Sequence, residues 1–370
     1  MRTRTGLLAA AMTAAIVAAG CVAQEDDPPA EDTSAAAEDW EPELVDGELQ
    51  PLPDGFPDDD ITLVNVDVAG SRDGIYARDL QRILEDISPV DITVSDEPAT
   101  QGGTVYAMAD VTTRPGGTEG YYPIISSMPG TSTDFLIEPI EDDLGLTLED
   151  ITFLISTEVH PYVIAQRADA PWGQSFEKFV EYGQENPGDL RYISHGVGSG
   201  QDLAMEWMLS ELGIEVQKIP GEDSVQEVAA VAAGEGDFTM NRPDDISPVE
   251  QDGRIESIFF SSEEVPEAWA DIPGVASAKD YEKFGLPDAS WGVVLGFMLP
   301  AEVPDLHERW LYALFEAATE TEQYQQRGET VPALQLQLLS TQEATDVAHD
   351  AYDFAGPIVR EAGLGAEENE

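Results

Sequence analysis

One succession of patterns limits the fold more than any other feature. ITLVNVDVAG at 61–70 alternates β-branched residues, with Thr62, Val64 and Val66 on one face and Leu63 and Asn65 on the other, which reads as a strand. It enters the loop Gly70-Ser71-Arg72-Asp73-Gly74. Ile75, Leu80, Ile83, Leu84 and Ile87 then follow at helical spacing. The order strand, glycine loop, helix returns at 91–113 and again at 190–214, where His195 and Gly196-Val197-Gly198-Ser199-Gly200 form the loop. A strand at 121–128 enters the loop PGTST. Two β-type runs lie near 153–156 and 162–166, a helix at 175–188, and strand, helix, strand at 217–242. A strand near residue 295 and helices over 305–328 and 341–364 close the chain. Strands alternating with helices predict a mostly parallel α/β fold, whose ligands bind in the loops at the carboxyl ends of the strands.

Those loops are candidate anion sites. A helix N-terminus offers unpaired N–H groups and the positive end of its dipole, and glycine lets a ligand approach the backbone. Three loops qualify: 69–74, 102–104 and 196–200. Each fits an ordinary βα turn as well. None carries a phosphate signature: Gln201 stands where GxGxxG needs its last glycine, and GxxxxGK[ST] is absent. Arg72, in a glycine loop beside a helix start, is placed to fork onto a ligand carboxylate. His195 fits either a ligand donor or a loop cap.

Catalysis finds little support. Ser194 and His195 are adjacent and would point to opposite faces of a strand, so they make a poor dyad. HExxH is absent, Gly198-Ser199-Gly200 does not fit GxSxG, and the acidic runs at 58–60 and Arg242-Pro243-Asp244-Asp245 lack EF-hand spacing. We therefore expect no enzyme, no cofactor and no metal site.

Charge sets the surroundings. Asp and Glu number 74 against 17 Lys and Arg, a net charge of −57 spread along all 370 residues, and 42% of residues are hydrophobic. Nucleic-acid binding and docking on anionic lipid through a basic patch are excluded. Such a chain repels itself in dilute buffer, and molar salt screens that repulsion. A halophile-type surface fits best; an ordinary acidic protein with an acidic tail is the alternative.

Residues 1–20 read as a signal peptide: Arg2 and Arg4 precede the apolar run 6–20, which is too short to span a bilayer. Ala18-Ala19-Gly20-Cys21 resembles a lipoprotein processing site, and Cys21 is the one cysteine. Lipidation of Cys21 is favoured over ordinary cleavage, because that chemistry needs a thiol at this position. Residues 22–60 hold 15 acidic residues, 6 Pro and no Lys or Arg, so 21–60 is expected to be an acidic disordered tether. The mature protein is expected outside the cytoplasm, lipid-anchored at the outer face of the cytoplasmic membrane.

The motifs together resemble the TctC or Bug family, the extracytoplasmic solute receptors of tripartite tricarboxylate transporters. VAGSRDGIYAR ends in the Ala77-Arg78 pair, Gly102-Gly103-Thr104 starts a helix, and GGTEGYYPIISS carries the aromatic strand. NPGDLRYISHGVGSG at 186–200, IPGEDSVQEVAAVAAGEGDF ending near Asp237, and SWGVVLGFMLP follow in the family's order. The resemblance covers about residues 61–365. It implies a two-lobed α/β fold of the type II periplasmic-binding-protein kind with a ligand cleft between lobes. The first lobe would span 61–165 and return over 291–365; the second would span 166–290. It implies capture of a tri- or dicarboxylate or related organic acid, passed to membrane permease subunits driven by an ion gradient. By resemblance the ligand ring comprises Ala69, Gly70, Ser71, Arg72 and Asp73; Gly103, Thr104 and Ser127; Ser194, His195, Gly196, Gly198 and Ser199; with Asp237 and Asn241 near a second-lobe strand end. Ser71-Arg72 replaces the family's glycine run, Gly74 stands at its acidic position beside Asp73, and His195 replaces a small residue. Receptors of ABC or TRAP importers and cleft-binding sensor ectodomains are the alternatives.

Overall fold

A computed structural model describes residues 40–98, 103–194, 196, 198–221, 223–287, 289 and 291–365. The leader, Cys21, Gly102 and His195 lie outside the described residues. From Pro42 onward the chain forms one unit.

The unit opens with a hairpin, β1 (Leu44–Val45) and β2 (Glu48–Leu49). β3 (Ile61–Asn65), α1 (Arg72–Leu84), β4 (Ile92–Asp96), α2 (Gly103–Thr112), β5 (Ile124–Met128), α3 (Gly130–Ile137), α4 (Ile140–Leu144) and β6 (Ile151–Pro161) follow. β7 (Val163–Arg167) starts a second sheet. That lobe continues through α5 (Phe176–Glu185), β8 (Leu190–Ser194), α6 (Gly200–Leu212), β9 (Val216–Pro220), α7 (Ser224–Ala233) and β10 (Phe238–Asn241). α8 (Pro243–Glu250), β11 (Ile255–Phe260), β12 (Ala276–Ser277) and α9 (Tyr281–Phe284) complete it. β13 (Gly292–Pro300) returns to the first sheet, and α10 (Asp305–Thr319), α11 (Glu322–Thr330), β14 (Gln335–Leu339) and α12 (Thr341–Glu361) end the fold.

The result is two six-stranded sheets, ordered β14-β6-β13-β5-β3-β4 and β12-β11-β7-β10-β8-β9. Each has a parallel nucleus, as expected. Each also contains reversed strands. β7 runs antiparallel to β10 and β11, and β13 antiparallel to β5 and β6. The cause is topological. β6 leaves the first sheet at its carboxyl end, so β7 enters the second sheet from the cleft side and runs backward. β13 returns the same way. The first crossing falls at Tyr162, ahead of the lobe boundary expected at 165/166.

Each sheet covers its faces with helices read from simple patterns. In α5, Phe176, Phe179, Val180 and Gly183 are buried at positions i, i+3, i+4 and i+7. Ser175 caps the helix by accepting from the Lys178 N–H at 3.2 Å. Burying Phe176 and Phe179 stabilises the lobe by about 2–3 kcal/mol each. The first core gathers Val64, Val105, Met108, Ile124, Phe153 and Met298. The second gathers Val163, Ile193, Val228, Ile246, Ile255 and Phe260.

The expectation of a disordered tether reaching residue 60 is corrected. Leu49, Leu52 and Phe56 are almost fully buried. The Leu49 N–H donates to the Ile87 carbonyl at 2.8 Å. The Phe56 ring stacks on His307 at 3.9 Å and meets Trp310 edge-on. The acidic average of the segment concealed three apolar anchors spaced to reach the first lobe. PGTST was also expected to be a loop; Gly130 to Thr133 instead begin α3.

Candidate functional site

The carboxyl ends of β3, β4, β5, β8, β9 and β10 open onto one cleft of about 880 Å³ between the sheets. Six helices begin there. α1, α2, α3, α6, α7 and α8 each contribute a residue of their first turn to its wall. Their N–H groups and dipole ends give the cleft a positive lining independent of side chains.

The first-lobe loop is held from behind. Arg78 donates to the Ala69 carbonyl at 3.2 Å and the Gly74 carbonyl at 2.8 Å, and it pairs with Asp96. The Asn65 amide donates to the Asp67 carbonyl at 2.9 Å and to Asp96 at 2.8 Å. Ser71 caps α1, accepting from the Gly74 N–H at 3.1 Å. Gly70, Ser71, Arg72 and Asp73 thereby face the cleft, and Thr104 and Ser127 join them.

In the second lobe Ser199 caps α6 and lines the cleft. Gly200 has no Cβ because one would stand 2.8 Å from the Tyr162 hydroxyl. Gly198 adopts φ +84 and gives its N–H to Asp202 at 3.1 Å. Asp202 is fully buried and neutralised by Lys218 at 2.5 Å. This loop is therefore internally tied, and Gly198 is spent on its shape.

Several expected site residues lie elsewhere. Asp237 is a correction. It sits before the amino end of β10, away from the cleft, and grips Arg191 through paired hydrogen bonds of 2.8 and 3.0 Å. Asn241 is a correction as well. It is fully buried and donates to Glu227 at 2.8 Å and Thr239 at 3.1 Å, shoring up the wall from behind. Ser194 is buried beneath the loop, where its carbonyl accepts from the Gly221 N–H at 2.8 Å. Ala69 and Gly196 belong to the loops but not to the cleft wall.

The residue that sequence reasoning missed is Arg242. It follows β10 directly and stands at the N-cap of α8. Arg72 from one lobe and Arg242 from the other both line the cleft. Their side chains are about 15% exposed. The Nε and Nη1 of Arg72 and the Nε of Arg242 are buried without a hydrogen-bond partner. Burial, then the repulsion of Arg242, pushes the Arg72 pKa down; Asp73, Asp244 and Asp245 partly offset this. Two mutually repelling guanidiniums with unspent donors are chemically suited to an anion. Tyr162, at the crossing, and Gln201 complete the wall beside them.

A family model described as the tripartite tricarboxylate transporter family receptor, TctC, matches residues 77–364. The chain belongs to this receptor family. Members of the TctC family are solute-binding receptors, so the chain is a receptor rather than an enzyme. A UPF0065 protein of Bordetella pertussis is 25% identical over 246 residues, 64% of this chain and 71% of that protein. Among solved structures, a TctC solute-binding protein from Polaromonas is similar with a TM-score of 0.67 at 18% identity, covering 83% of this chain and 99% of that one. R. palustris Rpa4515, solved with adipate, gives 0.65 at 18% identity over 84% and 99%. MatC from Rhodopseudomonas palustris, solved with malate, gives 0.61 at 17% identity over 82% and 100%. These likenesses establish the two-lobed fold.

Proposed function

We propose that this TctC-family receptor captures a small organic carboxylate outside the cytoplasm and delivers it to the membrane subunits of an ion-gradient-driven tripartite transporter. The observation that carries the reading is the pairing of Arg72 and Arg242 across the cleft. In a chain of net charge −57, two guanidiniums are brought together from different lobes with donors unspent. A carboxylate bridging them gains charge-assisted hydrogen bonds from both sides and links the lobes. Global acidity does not oppose this, because the helix ends and guanidiniums act at contact while distant charge is screened in salt. The adipate and malate complexes of structural neighbours support an organic acid as the ligand class.

The leader pattern supports export, and Cys21 supports a lipid anchor at the outer face of the cytoplasmic membrane. A thermal-shift screen in molar NaCl against mono-, di- and tricarboxylates and amino acids tests the reading. A ligand that binds only the folded state raises the melting temperature. A shift with one class of organic acid is expected. Shifts with none of them would overturn the carboxylate reading.

A further inference from the structure

The charge census of the cleft goes further than the two arginines. Among the described residues that line it, Arg72 and Arg242 are the cationic side chains, and against them stand Asp67, Asp73, Asp134, Asp223 and Asp245. A cleft built for a dianion or trianion would not carry an excess of acids. Four of the five have other work. Asp73 lies 3.5 Å from Arg72, and Asp245 lies 3.3 Å from Arg242. Asp223 caps α7, accepting from the Gln226 N–H at 2.8 Å. Asp67 is exposed at the rim and accepts from the Val68 N–H at 2.6 Å.

Asp134 has no such employment. It lies on α3, lines the cleft, and has no hydrogen-bond or ion-pair partner among the described residues. Glu138 stands one helical turn along, and the ion pairs of Arg72 and Arg242 go to Asp73 and Asp245 instead. Burial and Glu138 push its pKa up to about 7. The cleft therefore has two poles: paired guanidiniums at one, an uncompensated carboxyl at the other. A ligand carboxylate placed at the second pole would face the Asp134 carboxyl. A cation placed there would compensate Asp134 and hold it ionised.

We propose that the ligand is bipolar: its carboxylate lies between Arg72 and Arg242, and a protonated amine at its far end sits on Asp134. This rests on the carboxylate reading and narrows it to organic acids bearing a distal amine. The cleft volume is within the range that encloses a small flexible ligand.

Calorimetric titration of the full chain in molar NaCl with α,ω-amino acids and α,ω-diacids of matching length tests it. Adipate is compared with 6-aminohexanoate, and succinate with 4-aminobutyrate. The amino acid of a pair is expected to bind at least about 10-fold tighter than its diacid, the scale of one compensated buried charge. Asp134→Asn should abolish that preference and leave the carboxylate end unaffected, so the two members of a pair then bind alike. Diacids binding as tightly as their amino partners in the unmutated protein would overturn the bipolar ligand while leaving the carboxylate reading intact. Binding of neither series would overturn both. The comparison in the unmutated protein stands even if the variant folds poorly.

Discussion

Arg72 and Arg242 occupy comparable places, one per lobe: Arg72 is the first residue of α1, just after its cap Ser71, and Arg242 is the cap of α8. Arg72 was legible in the sequence because it interrupts a glycine loop. Arg242 was not, because MNRPDD reads first as an acidic run. The usable signal was Pro243, which favours the first position of a helix and so marks Arg242 as a cap. Asp237 misled for a simpler reason. It precedes β10 and Asn241 ends it, so the strand carries them to opposite ends. Asp134 gave no sequence signal, since its lack of a partner is a property of the folded cleft. It makes a sharp pH prediction. Its folded pKa of about 7 lies above the ordinary 3.8, so folding holds a proton the unfolded chain gives up. The cost is absent well below pH 3.8, grows as pH rises toward 7 and is complete above it. Asp134→Asn removes the ionisation. The ligand-free variant should be more stable than the unmutated protein at pH 8 by on the order of 2 kcal/mol, with the gain fading toward pH 4. Melting curves across pH check this; a gain that did not change with pH would contradict it.

At the scale of elements, the glycine loops were readable because a strand that stops at glycine and resumes at helical spacing has few other solutions. α3 was hidden because Thr131, Ser132 and Thr133 are turn-type residues by composition, and burial holds them in a helix instead. The crossing strand β6 was legible only in part. It carries Glu158 and His160, both inside the protein. Glu158 accepts from the Arg327 Nε at 2.5 Å and the His160 Nε2 at 3.1 Å, and Arg327 also pairs with Asp79. Burial pushes the Glu158 pKa up, and these hydrogen bonds outweigh it, leaving the carboxyl below its usual value. The network ties α1 and α11 to the strand that leaves for the second lobe. Arg327→Met strands a buried charge, and chemical denaturation should show a loss of about 3–5 kcal/mol. A loss below 1 kcal/mol would mean that Glu158 is protonated or solvated in the folded state.

For the whole molecule, the α/β class, the two lobes and the position of the cleft followed from the order of strands and helices and from the family's motif order. The reversed strands β7 and β13 did not, because direction depends on which end of a sheet the chain leaves. Nor did the docking of residues 43–60 on the first lobe, which three apolar side chains decide against an acidic background. The proposed ligand site is likewise a property of the whole fold: two lobes each extend one arginine into the cleft, and the proposed carboxylate would complete the pair. The most direct test is calorimetry in molar NaCl with the tightest-binding organic acid. It would be run on the unmutated protein, Arg72→Ala, Arg242→Ala and the double variant. Each single variant should weaken binding about 10- to 100-fold with its melting temperature nearly unchanged. The double variant should lose less than the sum, because both arginines hold one group. Single variants that bind as tightly as the unmutated protein would contradict the account.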